Sequence, residues 1–243
     1  DTWFKKLAPG FTDPEYLVAL YDAEIRYCDE GVGQLLEVLE KSGRMEDTLI
    51  IVLSDHGEMM YRHGIFFDHH GLYDGNIHIP WILKHPEITP RRIPYMAEHV
   101  DVAPTILGLC GLKIPPEMEG RNWAPYLLGK EEPEHKPYIV SQECTWQMKW
   151  CIRTETHKFI LAREEDYYGT PMRELYDLKN DPGEFQNLAE KEPALAKSLE
   201  TNLESWIARM MEKNGLTVDP LVAHGLTLGM QWKESRSNNA KVS

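Results

Sequence analysis

Apolar residues fall at two different periods along the first third of the chain, and each period predicts an element. Leu17, Tyr21, Ile25, Cys28, Val32, Leu35, Leu36 and Leu39 recur at steps near 3.6, which predicts a helix with one buried stripe. Thr12-Asp13-Pro14-Glu15 supplies its start, with capping-box spacing between Thr12 and Glu15 and a proline suited to the first turn. Gly43 ends it. The continuous run Thr48-Leu49-Ile50-Ile51-Val52-Leu53 then reads as a buried parallel strand, and Ile77 to Leu83 as another, with Pro80 implying a bulge or an edge position. Asp101 is placed to cap a helix running through Leu109, which Gly111 closes.

After Pro133 the pattern shortens. Tyr138 to Gln142, Lys149 to Arg153, Lys158 to Ala162 and Glu174 to Leu178 are β-rich stretches separated by turns, which predicts a small antiparallel sheet. Pro193 opens a helix on which Leu195, Leu199, Leu203, Trp206, Ile207 and Met210 share a face that should pack on that sheet. The expected organisation is therefore α/β in residues 1–133, antiparallel sheet plus helix in residues 134–215, and an irregular tail in residues 216–243.

Candidate chemistry sits where the first strand ends. Ser54-Asp55-His56-Gly57-Glu58 offers a carboxylate and an imidazole side by side at a strand's carboxyl end, where ligands gather in open α/β sheets. The same five residues also read as a turn whose aspartate caps the next segment. Composition narrows the partners. A net charge of −13 argues against a nucleic-acid or acidic-membrane surface, which needs clustered Lys and Arg. Four cysteines without a CxxC spacing make neither a disulfide framework nor a zinc site. No apolar run reaches the 18 residues of a membrane span.

Further segments turn this into a pattern. Downstream of Gly57 come His63-Gly64 and then Asp68-His69-His70-Gly71-Leu72-Tyr73-Asp74-Gly75-Asn76-Ile77-His78-Ile79-Pro80. His99-Val100-Asp101-Val102-Ala103-Pro104-Thr105 and Glu174-Leu175-Tyr176-Asp177-Leu178, with Asp181-Pro182-Gly183-Glu184 and Asn187-Leu188, complete the order. This succession resembles the second half of the sulfatase family, within the alkaline phosphatase superfamily. The resemblance implies part of an alkaline-phosphatase-like sandwich with a mainly parallel sheet, followed by a small C-terminal subdomain. The family's nucleophile, a formylglycine made from Cys or Ser in C/S-x-P/A-x-R, is matched by none of Cys28, Cys110, Cys144 and Cys151. The paired N-terminal aspartates of the metal site are missing too. The chain therefore reads as the C-terminal part of a longer polypeptide, inactive alone and partnered by the missing N-terminal half. Its location would be periplasmic, secreted or lysosomal, by family resemblance.

By the same resemblance Asp55 and His56 are the second pair of ligands to a divalent metal. Ca²⁺ is the family's ion, and the imidazole keeps Mn²⁺ open. His69 stands five residues before Asp74, where relatives carry a lysine that contacts sulfate and leaving oxygen. It is the candidate catalytic residue and, with His70, the candidate substrate-binding pair; His70 could take the proton-donating role instead. His63 and Asp74 are expected to be architectural, Asp74 being able to orient a pocket histidine. His78 should pack in its strand, His99 carries no chemistry, and Arg153 and Lys158 should be solvated beside a hairpin turn. The resemblance leaves three functions open: a sulfate ester hydrolase, a phosphonate monoester or phosphodiester hydrolase of the same superfamily, and a noncatalytic binding module.

Overall fold

The computed structural model describes residues 12–166 and 168–226. Expectations for the chain's start, and for a polar tail from Ser235, lie outside them. In chain order the elements are helix α1 (Pro14–Lys41), strands β1 (Ile50–Leu53), β2 (Met59–Arg62) and β3 (Ile65–Asp68), the helical turn α2 (Asp74–Ile77) and strand β4 (Trp81–Lys84). Then come α3 (Val102–Leu109), α4 (Ala124–Leu127), strands β5 (Ile139–Glu143), β6 (Lys149–Arg153), β7 (His157–Ala162) and β8 (Arg173–Asp177), and helices α5 (Pro193–Lys213) and α6 (Pro220–His224). They divide into two compact units, residues 12–52 with 82–86, and residues 53–81 with 87–226.

In the smaller unit α1 spans the predicted length, but its start and its burial differ from expectation. Asp13, not Thr12, is the cap, its side chain accepting from the Glu15 amide at 3.0 Å. The apolar stripe is not buried: Tyr21, Ile25 and Leu35 are all exposed. Periodicity identifies which face of a helix is apolar, not what covers it. β1 and β4 pair as a two-stranded sheet, and the Lys84 ammonium reaches the Met45 carbonyl. The predicted strand from Ile77 begins only at Trp81, because Asp74–Ile77 coils into a helical turn.

The larger unit is organised by the antiparallel sheet β5-β6-β7-β8. Each of its four strands lies within a residue or two of the predicted segment, and its register pairs Cys151 with Ile160 and Ile160 with Glu174. Successive side chains point to opposite faces. One face presents Met148, Trp150, Ile152, Phe159, Leu161 and Leu175 to α5, which answers with Ala196, Leu199, Leu203 and Ile207. The other presents Cys151, Ile160 and Tyr176 to Met59 and Ile65 of the β2–β3 hairpin and to Leu72 and Tyr73. Both faces are thus covered. Burying a Leu or Phe side chain is worth roughly 1.5–3 kcal/mol, so the helix-facing layer anchors the sheet. Helix α6 adds Leu221 to that layer, where the sequence pattern suggests irregular chain. Asp101 does not cap α3 with its side chain. Its carboxylate instead accepts from the Glu98 and Arg121 amides and the Trp123 indole, tying the start of α3 to the segment before α4.

Candidate active site

The loop after β1 is shaped by hydrogen bonds internal to Ser54–Glu58. Ser54 Oγ donates to the His56 carbonyl at 2.6 Å, and the His56 amide donates to Asp55 Oδ1 at 2.9 Å. That amide bond, then the His56 ring, hold the exposed Asp55 carboxyl below its usual range. His56 Nδ1 lies 2.9 Å from the Gly57 carbonyl, which can only accept, so Nδ1 carries the hydrogen and Nε2 is left as the basic nitrogen. Gly57 is required by close approach: its amide donates to the Asn76 carbonyl at 2.7 Å, and a Cβ there would meet the Gly75 oxygen at 2.1 Å. His99, assigned no chemistry from sequence, donates from Nε2 to the Ser54 carbonyl at 2.9 Å and props the loop.

The β2–β3 hairpin brings the histidine pair back to this loop. β2 and β3 are antiparallel, joined through His63 and Gly64, both in the left-handed region. Asp68 ends β3 and sets the path of the next two residues. Its Oδ1 accepts the amides of His69 (2.8 Å) and His70 (3.3 Å), and its Oδ2 accepts the Tyr168 hydroxyl at 2.9 Å. The His69 ring then stacks on His56, centroids 4.3 Å apart and planes at 20°. Glu58 Oε2 lies 3.8 Å from His69 Nδ1. Burial raises the Glu58 carboxyl above its ordinary range, against the opposing pull of His69. His70 is the more enclosed of the pair, its Nε2 3.6 Å from Asp68 and its Nδ1 3.9 Å from Glu143.

Asp74 is architectural, but through two cations rather than through a pocket histidine. Arg153 grips it with two nitrogens at 3.0 and 3.2 Å, and Lys158 Nζ donates to it at 2.6 Å. The sequence places both cations in solvent, yet Lys158 is fully buried. Lys158 also pairs with Glu184 at 2.7 Å, and Glu184, held at φ 58°, accepts the Asp74 amide at 2.6 Å. Burial alone would raise the Asp74 carboxyl; Arg153 and Lys158 outweigh it and bring it down to about 2. His78 is not packed in a strand. It follows α2 with an exposed ring, 3.8 Å from Asp74. His63 is architectural as expected, stacked on Tyr73 at 3.8 Å.

A family model described as N-sulphoglucosamine sulphohydrolase, C-terminal, matches residues 62–213, and the sulfatase model matches residues 4–112. The chain belongs to the sulfatase family. The Delta 4,5-hexuronate-2-O-sulfatase of Bacteroides thetaiotaomicron is 28% identical over 206 residues, covering 80% of this chain and 42% of that protein. A solved 2-O GAG sulfatase superposes with a TM-score of 0.72 at 25% identity, over 85% of this chain and 46% of its own. The phosphonate monoester hydrolase of Agrobacterium radiobacter superposes with a TM-score of 0.69 at 25% identity, over 83% and 44%. The chain spans less than half the length of the sulfatases it matches.

Within this sulfatase chain the sequence signal is uneven. Asp55, His56, His69 and His70 stand in contiguous motifs, and the structure brings His56 and His69 into contact. Glu58 belongs to the same motif, which by itself assigns it no role. Glu143 and Tyr168, which flank the histidine pair, come from a strand end and a loop with no motif around them. Lys158 left one usable signal, a charged residue inside an otherwise apolar strand pattern, His157–Ala162. A lysine there is buried only when paired.

Proposed function

We propose that this chain is the C-terminal part of a sulfate ester hydrolase whose formylglycine nucleophile lies upstream, with β1 belonging to the mainly parallel sheet of the family's sandwich. The observation that carries this reading is the stacking of His56 on His69, which joins the expected metal-ligand pair to the expected proton donor in one site. Asp55 and His56 fit a divalent ion: the carboxyl is held ionised, and the Gly57 carbonyl fixes the imidazole tautomer that leaves Nε2 free. Such an ion, Ca²⁺ or, given the nitrogen donor, Mn²⁺, supplies positive charge against the sulfuryl oxygens.

The chain's own residues do the rest. His69 stands beside that position and offers a ring N–H to the departing oxygen, because an alkoxide leaves poorly unprotonated. Glu58, 3.8 Å from Nδ1, orients the ring, and Asp68 fixes the backbone on which it is mounted. His70, between Asp68 and Glu143, contacts the bound ester. The Asp74–Lys158–Glu184 cluster locks the C-terminal end of this loop.

A phosphonate monoester hydrolase is the second reading, favoured by the superposition on the Agrobacterium radiobacter enzyme. The same metal and proton donor serve phosphoryl transfer. Comparing kcat/KM of the complete protein for an aryl sulfate and a phenyl phosphonate ester decides between them. A preference for sulfate supports the first reading, and a preference for the phosphonate replaces it with the second.

A further inference from the structure

Asp68 has competing partners within reach. Its Oδ1 accepts the amides of His69 and His70, yet the same oxygen lies 3.8 Å from His69 Nδ1 and 3.6 Å from His70 Nε2. A carboxylate turned onto either ring would decide which imidazole nitrogen carries the hydrogen, and would let go of the amides. The Tyr168 hydroxyl donates to Oδ2 at 2.9 Å and ties down the other end of the group. We propose that Tyr168 is a positioning residue for the histidine pair: by fixing the Asp68 carboxylate it keeps that group on the backbone of His69 and His70 and off their rings.

Three observations carry this. Tyr168 reaches Asp68 across 100 residues of chain, from the connection between β7 and β8, so the bond is not the by-product of a local turn. The tyrosine is itself held on a fixed base. Fully buried Lys149 pairs with Asp166 at 3.0 Å and donates to the Thr170 hydroxyl, and the Thr170 amide donates to Asp166 Oδ1 at 3.1 Å. The Tyr168 ring packs against the buried layer that contains Met59, Ile65 and Tyr73. Lastly, Phe67, immediately before Asp68, sits at φ 46°, a left-handed conformation that a bulky residue keeps only where its surroundings enforce it. A hold on Asp68 from outside the hairpin is such an enforcement.

The effect on turnover passes through His69 and so rests on the proton-donor role proposed for it; the hold on Asp68 does not. Tyr168→Phe in the complete protein tests both, and it keeps the ring and its packing, so the fold is retained. The first readout is hydrogen exchange at the His69 and His70 amides. It should become at least about tenfold faster, which is what a hydrogen bond to a charged group is worth in an equilibrium. The second is kcat on an alkyl sulfate, which should fall roughly 10- to 10²-fold with KM little altered, the range that a misplaced group costs. A nitrophenyl sulfate, whose leaving group scarcely needs a proton, should lose less. Made in an Asp68→Ala background, Tyr168→Phe should add nothing to either readout, because the two residues act as one unit. Unchanged exchange, unchanged turnover of both substrates, or an equal effect of Tyr168→Phe in both backgrounds overturns the proposal. Faster exchange with equal losses on both substrates leaves the hold established and counts against His69 as proton donor, so the two readings fail separately.

Discussion

The two faces of the β5–β8 sheet do different work with the same strands. The face under α5 is lined mainly by hydrocarbon and aromatic side chains. The face under the histidine loop interleaves Cys151, Ile160 and Tyr176 with Lys149, Arg153, Lys158 and Glu174. Lys149, fully buried, pairs with Asp166 at 3.0 Å and Glu174 at 2.9 Å, and Glu174 in turn accepts the hydroxyls of Tyr73 and Tyr176, both at 2.7 Å. Burial and the Glu174 charge keep both phenols protonated well above their ordinary range. The apolar face supplies cohesion without direction. The charged face supplies direction, because each paired ion fits only one arrangement of its partners. It grips Tyr73 and Asp74, immediately after the loop that carries His69 and His70. A stiff scaffold of this kind is what a proton donor needs if it is to be held in place.

The contrast between the faces is sharpest at Lys158. Lys158→Ala should cost about 3–5 kcal/mol, because it leaves the buried Glu184 carboxylate without its cation, while Asp74 keeps Arg153. That cost should shrink in acid, since burial raises the Glu184 carboxyl and, without Lys158 to oppose it, the folded variant gains by taking up a proton there. Leu203→Ala, on the other face, should cost about 2–5 kcal/mol by leaving a cavity, with no comparable pH dependence. Urea unfolding of both variants at neutral and mildly acidic pH checks this. Equal pH profiles would erase the distinction between the faces.

Asp74 gives the next effect. Its folded value of about 2 lies below the ordinary 3.8, so its pairing contributes stability that is complete above pH 3.8 and is lost as pH falls towards 2. The contribution is about 2 kcal/mol. It should be missing from the acid limb of the stability curve of Asp74→Asn. Tyr73→Phe should cost least, about 1.5 kcal/mol, the lower end for one hydrogen bond to a carboxylate, here that of Glu174. Tyr176 still serves the same oxygen there, so the lower end is expected.

The two faces also differ in how much of them the sequence disclosed. Short β-rich stretches separated by turns located four strands, and the period of Leu199, Leu203 and Ile207 located the helix that covers them. Those signals are local. The charged face is not, because Asp74 meets Arg153 and Lys158 across 79 and 84 residues of chain, and a lysine in a strand reads as solvated until its partner is known. Similarly, the histidine motifs named His69 and His70, whereas Glu143 reaches His70 only through the fold of β5. Burial of α1 failed for the converse reason: its stripe is local, and what covers a stripe is not.

Central to the proposed site is His69, which this scaffold presents beside His56 and which is proposed as the proton donor. Turnover by the complete enzyme carrying His69→Ala tests that most directly, measured on an alkyl or sugar sulfate and on a nitrophenyl sulfate. An alkoxide needs a proton to leave and a nitrophenoxide scarcely does, so the variant should lose roughly 10²–10⁴-fold on the first substrate and little on the second. Equal losses on both would make His69 a sulfate-binding or structural residue. A selective loss from His70→Ala instead would move the role one residue along the chain, and either result would contradict the site as described.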